Sequence, residues 1–212
     1  MNHYGVRVAT RQEVDAAWEY VSAHRERYGI QRITRPGDLH FAYSFYFKEP
    51  GGNHWEIEFY DQAAAEGRSA ATPHWSVPLA VERFPGKGYV PQALSHGTLE
   101  CDDKETSTRF YRDVLGLEIA GGGRVSVHIK HSLTPWYIVV IPTKQRRYLS
   151  PANRFTLRLA SPDAVLEAHR EFAASGKTLG TTELGEVQAA GAEVSFLFSD
   201  LDRNWWEITA TH

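Results

Sequence analysis

Ten histidines and 26 acidic residues stand in a chain of 212. That inventory of imidazole and carboxylate justifies looking for a metal site. Two imidazole nitrogens and one carboxylate on one face of a divalent ion leave positions open, as non-haem Fe(II) needs to hold a substrate beside O₂. Two carboxylates with two imidazoles suit Zn, Ni or Mn as a Lewis acid. Two glutamates recur in one setting. Residues 44–57 read SFYFKEPGGNHWEI and residues 195–208 read SFLFSDLDRNWWEI, so Glu56 and Glu207 each end an Asn-x-Trp-Glu run. The segment SVHIKH carries His128 and His131, three apart along a strand, which points them to opposite faces. One of the two is therefore a candidate acid or base in a pocket. Gly121-Gly122-Gly123 opens no helix within a βαβ unit and is no dinucleotide fingerprint.

The two glutamate segments belong to a longer repeat. Seven of their fourteen positions are identical, and at the same offset YGVRVATRQEVDAAWEYV (4–21) falls on FTLRLASPDAVLEAHREF (155–172). A match at both ends without net insertion marks a duplicated unit. In the first copy, HYGVRVA (3–9) alternates as a strand with one buried face. A helix is expected over 11–29, with Val14, Ala17, Trp18 and Val21 on one side and Gly29 at its end. Strands are expected at 40–47 and 54–60, joined by the turn KEPGGN. The last copy repeats this with strand 154–160, a helix over 162–175 capped by Ser161 and followed by Gly176, and strands 193–199 and 205–211. A diverged middle unit has strand 96–102, a helix over 104–116 closed by Gly116, and strands 124–130 and 136–142. The sequence thus predicts an α+β fold of repeated βαβββ modules forming curved mixed sheets. The expected division is a first module at 1–60, a linker or arm at 61–95, and a domain over 96–212 made of two modules, 96–145 and 153–211.

Bulk properties narrow the setting. Net charge −3 gives no reason to expect nucleic acid or an anionic membrane as partner. The single cysteine, Cys101, forms no internal disulfide, no apolar core of signal-peptide length opens the chain, and no run approaches a membrane span. A cytoplasmic protein acting on a small molecule is expected. Three modules leave one sheet half unpaired, and the apolar strand HFAYSFYF (40–47) at an open edge predicts a homodimer.

HGTLECDDKETSTRFYRDVLGLEI (96–119) resembles the opening of a vicinal oxygen chelate module, and KEPGGNHWEIEFY and LDRNWWEIT resemble that superfamily's closing hairpin. The superfamily includes glyoxalase I, type I extradiol dioxygenases, fosfomycin-resistance enzymes and metal-free bleomycin-binding proteins. The resemblance implies ligand positions at the start of each first strand and in each last strand. Carried over, these are His3, His96 and Arg154, then Glu56, Tyr137 and Glu207. His3 to Glu56 and Arg154 to Glu207 are equally spaced, 53 residues each.

The module order of extradiol enzymes pairs modules two and three, which would bring His96 and Glu207 together. Arg154 would then stand where that pattern has its second His, and an arginine stays protonated and cannot ligate a metal. There it would act on the substrate as a fixed positive charge. Pairing of modules one and two would instead assemble His3, Glu56 and His96. A third arrangement pairs module one with its twin in a dimer. Each candidate also has a plain structural reading: Glu56 and Glu207 as strand-lining acids, His96 as a strand-end residue, His3 as a frayed one. The resemblance implies a metalloenzyme with Fe(II), or Mn, Zn or Ni, acting on a small oxygen-rich or aromatic molecule, most like an extradiol ring-cleaving dioxygenase. A metal-free sequestering protein and a glyoxalase-like isomerase or lyase are the alternatives.

Overall fold

Thr10 opens the first helix with a reciprocal cap. Its Oγ1 accepts from Glu13 N at 3.1 Å, while Glu13 Oε2 accepts from Ala9 N at 2.6 Å. The computed structural model describes residues 2–39, 42–60, 86–132, 134 and 136–211. Of the linker expected over 61–95, residues 61–85 lie outside the described residues, as do His40 and Phe41.

In the first module, β1 (Tyr4–Arg7) leads to α1 (Arg11–Ala23), then β2 (Arg32–Ile33), β3 (Gly37–Leu39), β4 (Ala42–Lys48) and β5 (His54–Tyr60). The middle module has β6 (Ala93–Cys101), α2 (Lys104–Arg109) continuing into a π turn at Phe110–Val114, then β7 (Glu118–Gly122), β8 (Val127–Lys130) and β9 (Tyr137–Pro142). The last has β10 (Arg154–Arg158), α3 (Pro162–Leu179), β11 (Glu183–Leu184), β12 (Gln188–Ala190), β13 (Glu193–Ser199) and β14 (Trp205–Thr211). Among the described residues no helix is long and apolar enough to cross a membrane.

Two sheets result. One runs β2-β4-β5-β1-β6-β9-β8-β7, with β3 also on β4; the other runs β10-β14-β13-β11, with β12 on β13. Modules one and two therefore share a sheet through β1 and β6, which pair antiparallel. This replaces the expected pairing of modules two and three. It also fills the β1 edge that a twin-pairing arrangement would have used. The strand expected at an open edge is interior as well: β4 has β5 on one side and β2 with β3 on the other. The compact units are Met1–Leu99 with Leu117–Ile141, and Glu100–Gly116 with Pro142–His212, a division different from a domain over 96–212.

The first unit buries the Val14, Ala17 and Val21 face of α1 against Val8, Phe45 and Ile57. The helix stops at Ala23 rather than continuing to Gly29. Beyond it His24 donates to Ser22 and Tyr20 carbonyls, and the chain reaches Gly29 (φ 63°) through tight turns. In the last module α3 runs past Gly176 and ends at Gly180, which sits at φ 102°. Gly176 lies inside the helix, where a Cβ would come within 3.2 Å of Thr181.

Duplicated turns show how the copies diverged. In the first, Glu49 Oε1 accepts from Asn53 N at 2.8 Å and Asn53 Nδ2 at 2.7 Å at a half-buried site. In the last, Asp200 and Asn204 hold the equivalent positions, and Asp200 is buried. Its oxygens accept from Asp202 N at 2.8 Å, Asn204 N at 2.9 Å, Tyr111 Oη at 2.7 Å and Trp206 Nε1 at 3.1 Å. Removing that acceptor strands several buried donors, each worth roughly 1–3 kcal/mol. Asp200→Ala should therefore cost at least about 3 kcal/mol in urea unfolding followed by tryptophan fluorescence. Glu49→Ala should cost less, about 1 kcal/mol, since water reaches the donors of this half-buried turn. Equal losses would mean that burial does not separate the two turns.

Candidate metal centre

One row of residues crosses four adjacent strands. Tyr46 on β4 faces Glu56 on β5, Glu56 faces Gly5 on β1, and Gly5 faces His96 on β6. Side chains two apart on a strand share a face, so His3, just ahead of β1, projects beside Gly5. The glycine decides the geometry. A Cβ at position 5 would lie 2.4 Å from both Cε1 and Nδ1 of His96. Only a bare Cα leaves room for that imidazole between its neighbours.

Three donor atoms converge there. His3 Nε2 lies 3.1 Å from Glu56 Oε2 and 3.0 Å from His96 Nε2, and His96 Nε2 lies 3.2 Å from Glu56 Oε2. Donors bound at right angles to one ion at about 2.1 Å stand about 3.0 Å apart, so the triangle matches one face of an octahedron. Among the described residues this is the group of at least three His, Cys, Asp or Glu side chains whose donor atoms lie within 4.8 Å of one another. The residues present fit a divalent ion. His3 is not frayed: its backbone N donates to Thr98 Oγ1 at 2.6 Å, and Thr98 N donates to His3 O at 3.0 Å.

The charges around the triangle are interdependent. Burial pushes the Glu56 carboxyl up, but hydrogen bonds and positive charge from His3 and His96 outweigh it and hold the group well below the usual carboxylate range. Burial pushes His96 down, while the Glu58 charge and hydrogen bonds to Glu56 and Glu58 push it further up, to about 9. Glu58 is depressed despite its burial, chiefly by His96 and then by Arg7.

Tyr137, at the fourth position the resemblance implies, is held neutral by burial and by the Glu58 charge, and it shares a hydrogen bond with Arg7. A neutral phenol tied in this way is a poor metal ligand. Its ring stacks on His96 with centroids 5.7 Å apart and on His128 at 4.9 Å.

The triangle opens on a cavity of about 330 Å³ whose lining includes Tyr46, Tyr60, Tyr137, His128, Leu39 and Val125. His128 Nδ1 is buried and has no hydrogen-bond partner among the described residues. Burial, and then the positive charge of His96, lower His128 to about 4, so it is neutral near pH 7 and resists protonation, leaving its open Nδ1 to accept a hydrogen bond. His131 lies beyond the end of β8, exposed and outside this lining.

Glu207 and Arg154 belong to the other unit and to each other. Arg154 donates from Nε to Glu207 Oε2 at 3.1 Å and from Nη2 to Oε1 at 3.2 Å, and Thr156 Oγ1 donates to Oε2 at 2.9 Å. A guanidinium thus takes the place that His3 has in the first copy. Thr156 stands where the first copy has Gly5. Sequence reasoning missed Gly5, Arg7 and Glu58. Their signal was available: Glu56 and Glu58 alternate within HWEIEFY, so both carboxylates face one side.

No family model matches the chain, and no curated protein matches it in sequence. Solved structures resemble it in fold. A presumed dioxygenase from Bacillus subtilis aligns with a TM-score of 0.59 and 14% identity, over 98% of this chain and 61% of that one. A single-residue variant of glyoxalase I from Zea mays aligns with a TM-score of 0.60 and 13% identity, over 99% and 68%. The chain spans about three-fifths of the length of the Bacillus protein. At these identities the likeness is one of fold.

The pKa shifts fix how the metal-free protein responds to pH. Glu56 and Glu58 lie below their unfolded value, so their contribution is complete above about pH 4.3 and fades as pH falls through the depressed values. His96 is raised to about 9, so its contribution is complete below about pH 6.5 and fades as pH rises through 9. Melting temperatures measured in chelator should therefore fall between pH 6.5 and 9, and His96→Gln should flatten that decline. An unchanged alkaline slope in the variant would show that the ion pairing is absent.

Proposed function

We propose that this chain, which has the fold of the vicinal oxygen chelate superfamily, is a metalloenzyme whose divalent ion, Fe(II) by preference, is held by His3, Glu56 and His96. The reaction is ring cleavage of a small catechol-like molecule. The observation that carries the reading is the donor triangle of two imidazoles and one carboxylate at the floor of an aromatic-lined cavity. Fold alone does not separate a dioxygenase from a glyoxalase-type enzyme, since both names occur among structures of like fold. The donor set does favour one. A Lewis-acid site with two carboxylates would need a second acid, but Glu58 is committed to Arg7 and Glu207 to Arg154 and Thr156.

When bound, the ion supplies a centre on which substrate oxygens and O₂ meet, because three protein donors leave its other positions open. The chain's own residues do the rest. His128, neutral and with no partner for Nδ1 among the described residues, orients a substrate hydroxyl by accepting its hydrogen bond. Tyr46, held neutral by burial and by the Glu56 charge, donates its O–H to the Glu56 carboxylate and so helps to orient that side chain. Association into a homodimer belongs to the same proposal, because among the described residues β10 has a strand neighbour on one side only.

Anaerobic titration with Fe(II) or Co(II) should show one ion per chain. His3→Ala, Glu56→Ala and His96→Ala should each weaken it on the order of 100-fold or more, and Glu207→Ala should leave it unchanged. Binding displaces the His96 proton, so affinity should rise about tenfold per pH unit between 6.5 and 8.5. Oxygen uptake with catechols should depend on the same three residues. A parent protein that takes up no ion would favour the metal-free sequestering reading instead.

Gly5→Ala tests the geometry separately. The added methyl meets the His96 ring at 2.4 Å, so ion affinity should drop at least tenfold while far-UV circular dichroism stays that of the parent. Undiminished affinity would mean that His96 is not a ligand in this position.

A further inference from the structure

His96 has a second ring nitrogen. Nε2 faces His3 and Glu56, and Nδ1 points away from them, toward Ser95 Oγ at 3.1 Å and Glu58 Oε1 at 3.4 Å. Glu58 is 3% exposed, and the same Oε1 accepts from Arg7 Nη2 at 2.9 Å. Arg7 is itself 6% exposed. Burying a carboxylate and a guanidinium costs several kcal/mol per ion, and apolar residues of similar volume are often no less stable. Stability is therefore a weak reason for this pair.

The duplicated module is an internal control. At the matching positions Arg7 becomes Arg158, but Glu58 becomes Thr209, His3 becomes Arg154 and Gly5 becomes Thr156. The buried acid is present in the copy that builds the imidazole triangle and absent from the copy that does not. The chemistry of the partners explains why. A serine hydroxyl can donate to Nδ1 or accept from it, so Ser95 leaves the ring's proton unassigned, whereas a carboxylate only accepts. Arginine only donates, so Arg7 fixes the Glu58 oxygen that faces the ring.

We infer that Glu58 is a positioning residue: a buried acceptor, braced by Arg7, that keeps a proton on His96 Nδ1 and directs the Nε2 lone pair into the triangle. The inference rests on the metal-binding reading above.

Three proteins test it with Co(II) alone as probe. Glu58→Gln retains an acceptor, because Arg7 requires the amide oxygen to face it. The paired variant Arg7→Leu with Glu58→Leu removes the acceptor without stranding a buried charge. The paired variant should bind Co(II) 10–100-fold more weakly than the parent, and Glu58→Gln should stay within a few-fold. Crystal structures of the metal-free proteins give a second readout. His96 Nε2 should leave the 3.0–3.2 Å triangle in the paired variant and remain in it in Glu58→Gln. Equal losses in both variants, or no loss in the paired one, would overturn the role of Glu58. If the parent binds no Co(II), the metal reading falls, and the triangle comparison alone then decides the positioning role.

Discussion

The approach of the His96 imidazole to the bare Cα of Gly5 is the constraint on which the rest of the site depends. It lets β6 lie against β1 with a ring over the strand, and so draws His96 within 3.2 Å of Glu56 and 3.0 Å of His3. A side chain at position 5 would turn the ring away. The meeting of these side chains thus depends on a residue that contributes no chemistry of its own.

The last module shows what the same scaffold becomes without that residue. Its turn, helix cap and strand register repeat the first copy: Ser161 caps as Thr10 does, Gly180 ends the helix region as Gly29 does, and Phe155 faces Trp206 as Tyr4 faces Trp55. Yet Thr156 replaces the glycine, and Arg154 supplies a permanent cation where an imidazole could have shared an ion. Glu207, the one member of the row that persists, is satisfied by that guanidinium. Its carboxyl is held below its usual range by Arg154 and Thr156 against the cost of burial. The two copies therefore answer a similar problem, a glutamate beside the first strand that is buried in one copy and half-buried in the other, with different partners.

Much of this was legible in the chain. The alternation of HWEIEFY, WWEITAT and EVSFLFS gave strands at 54–60, 205–211 and 193–199 that the structure has without a shift, because each run carries one face to a core. Helix ends were harder. Gly176 and Gly29 both look like terminators, but a glycine ends a helix by its φ, which composition does not reveal, and Gly176 is a packing glycine against Thr181. The short strands β2, β3, β11 and β12 carry too few residues for a period to register. His3, Glu56 and His96 were each named, but their convergence was one of three arrangements. Deciding among them required knowing that Thr156 and Gly5 differ in the space they leave, which is a property of strand packing and not of the ligand residues. Glu58 went unremarked because an acid in an amphipathic strand reads as solvent-facing until its strand is found in the interior of a sheet.

Charge balance links the buried pair to what the cavity can hold. Without an ion, Glu56 and Glu58 are ionised, Arg7 is cationic and His96, raised to about 9, is cationic at neutral pH. Those four groups sum to zero, which is how so many ionisable side chains stay buried together in a folded unit. A divalent ion that displaces the His96 proton changes the sum by one positive charge. In a cavity where Tyr46, Tyr137 and aliphatic side chains stand beside the buried acids, that charge attracts an anionic oxygen more strongly than it would at the surface. On the proposed reading, loading the site and recruiting an acidic hydroxyl are therefore linked. His128 Nδ1, buried in the same cavity and without a partner among the described residues, is the nitrogen placed to accept a hydrogen bond from such a hydroxyl, and its burial keeps it neutral near pH 7.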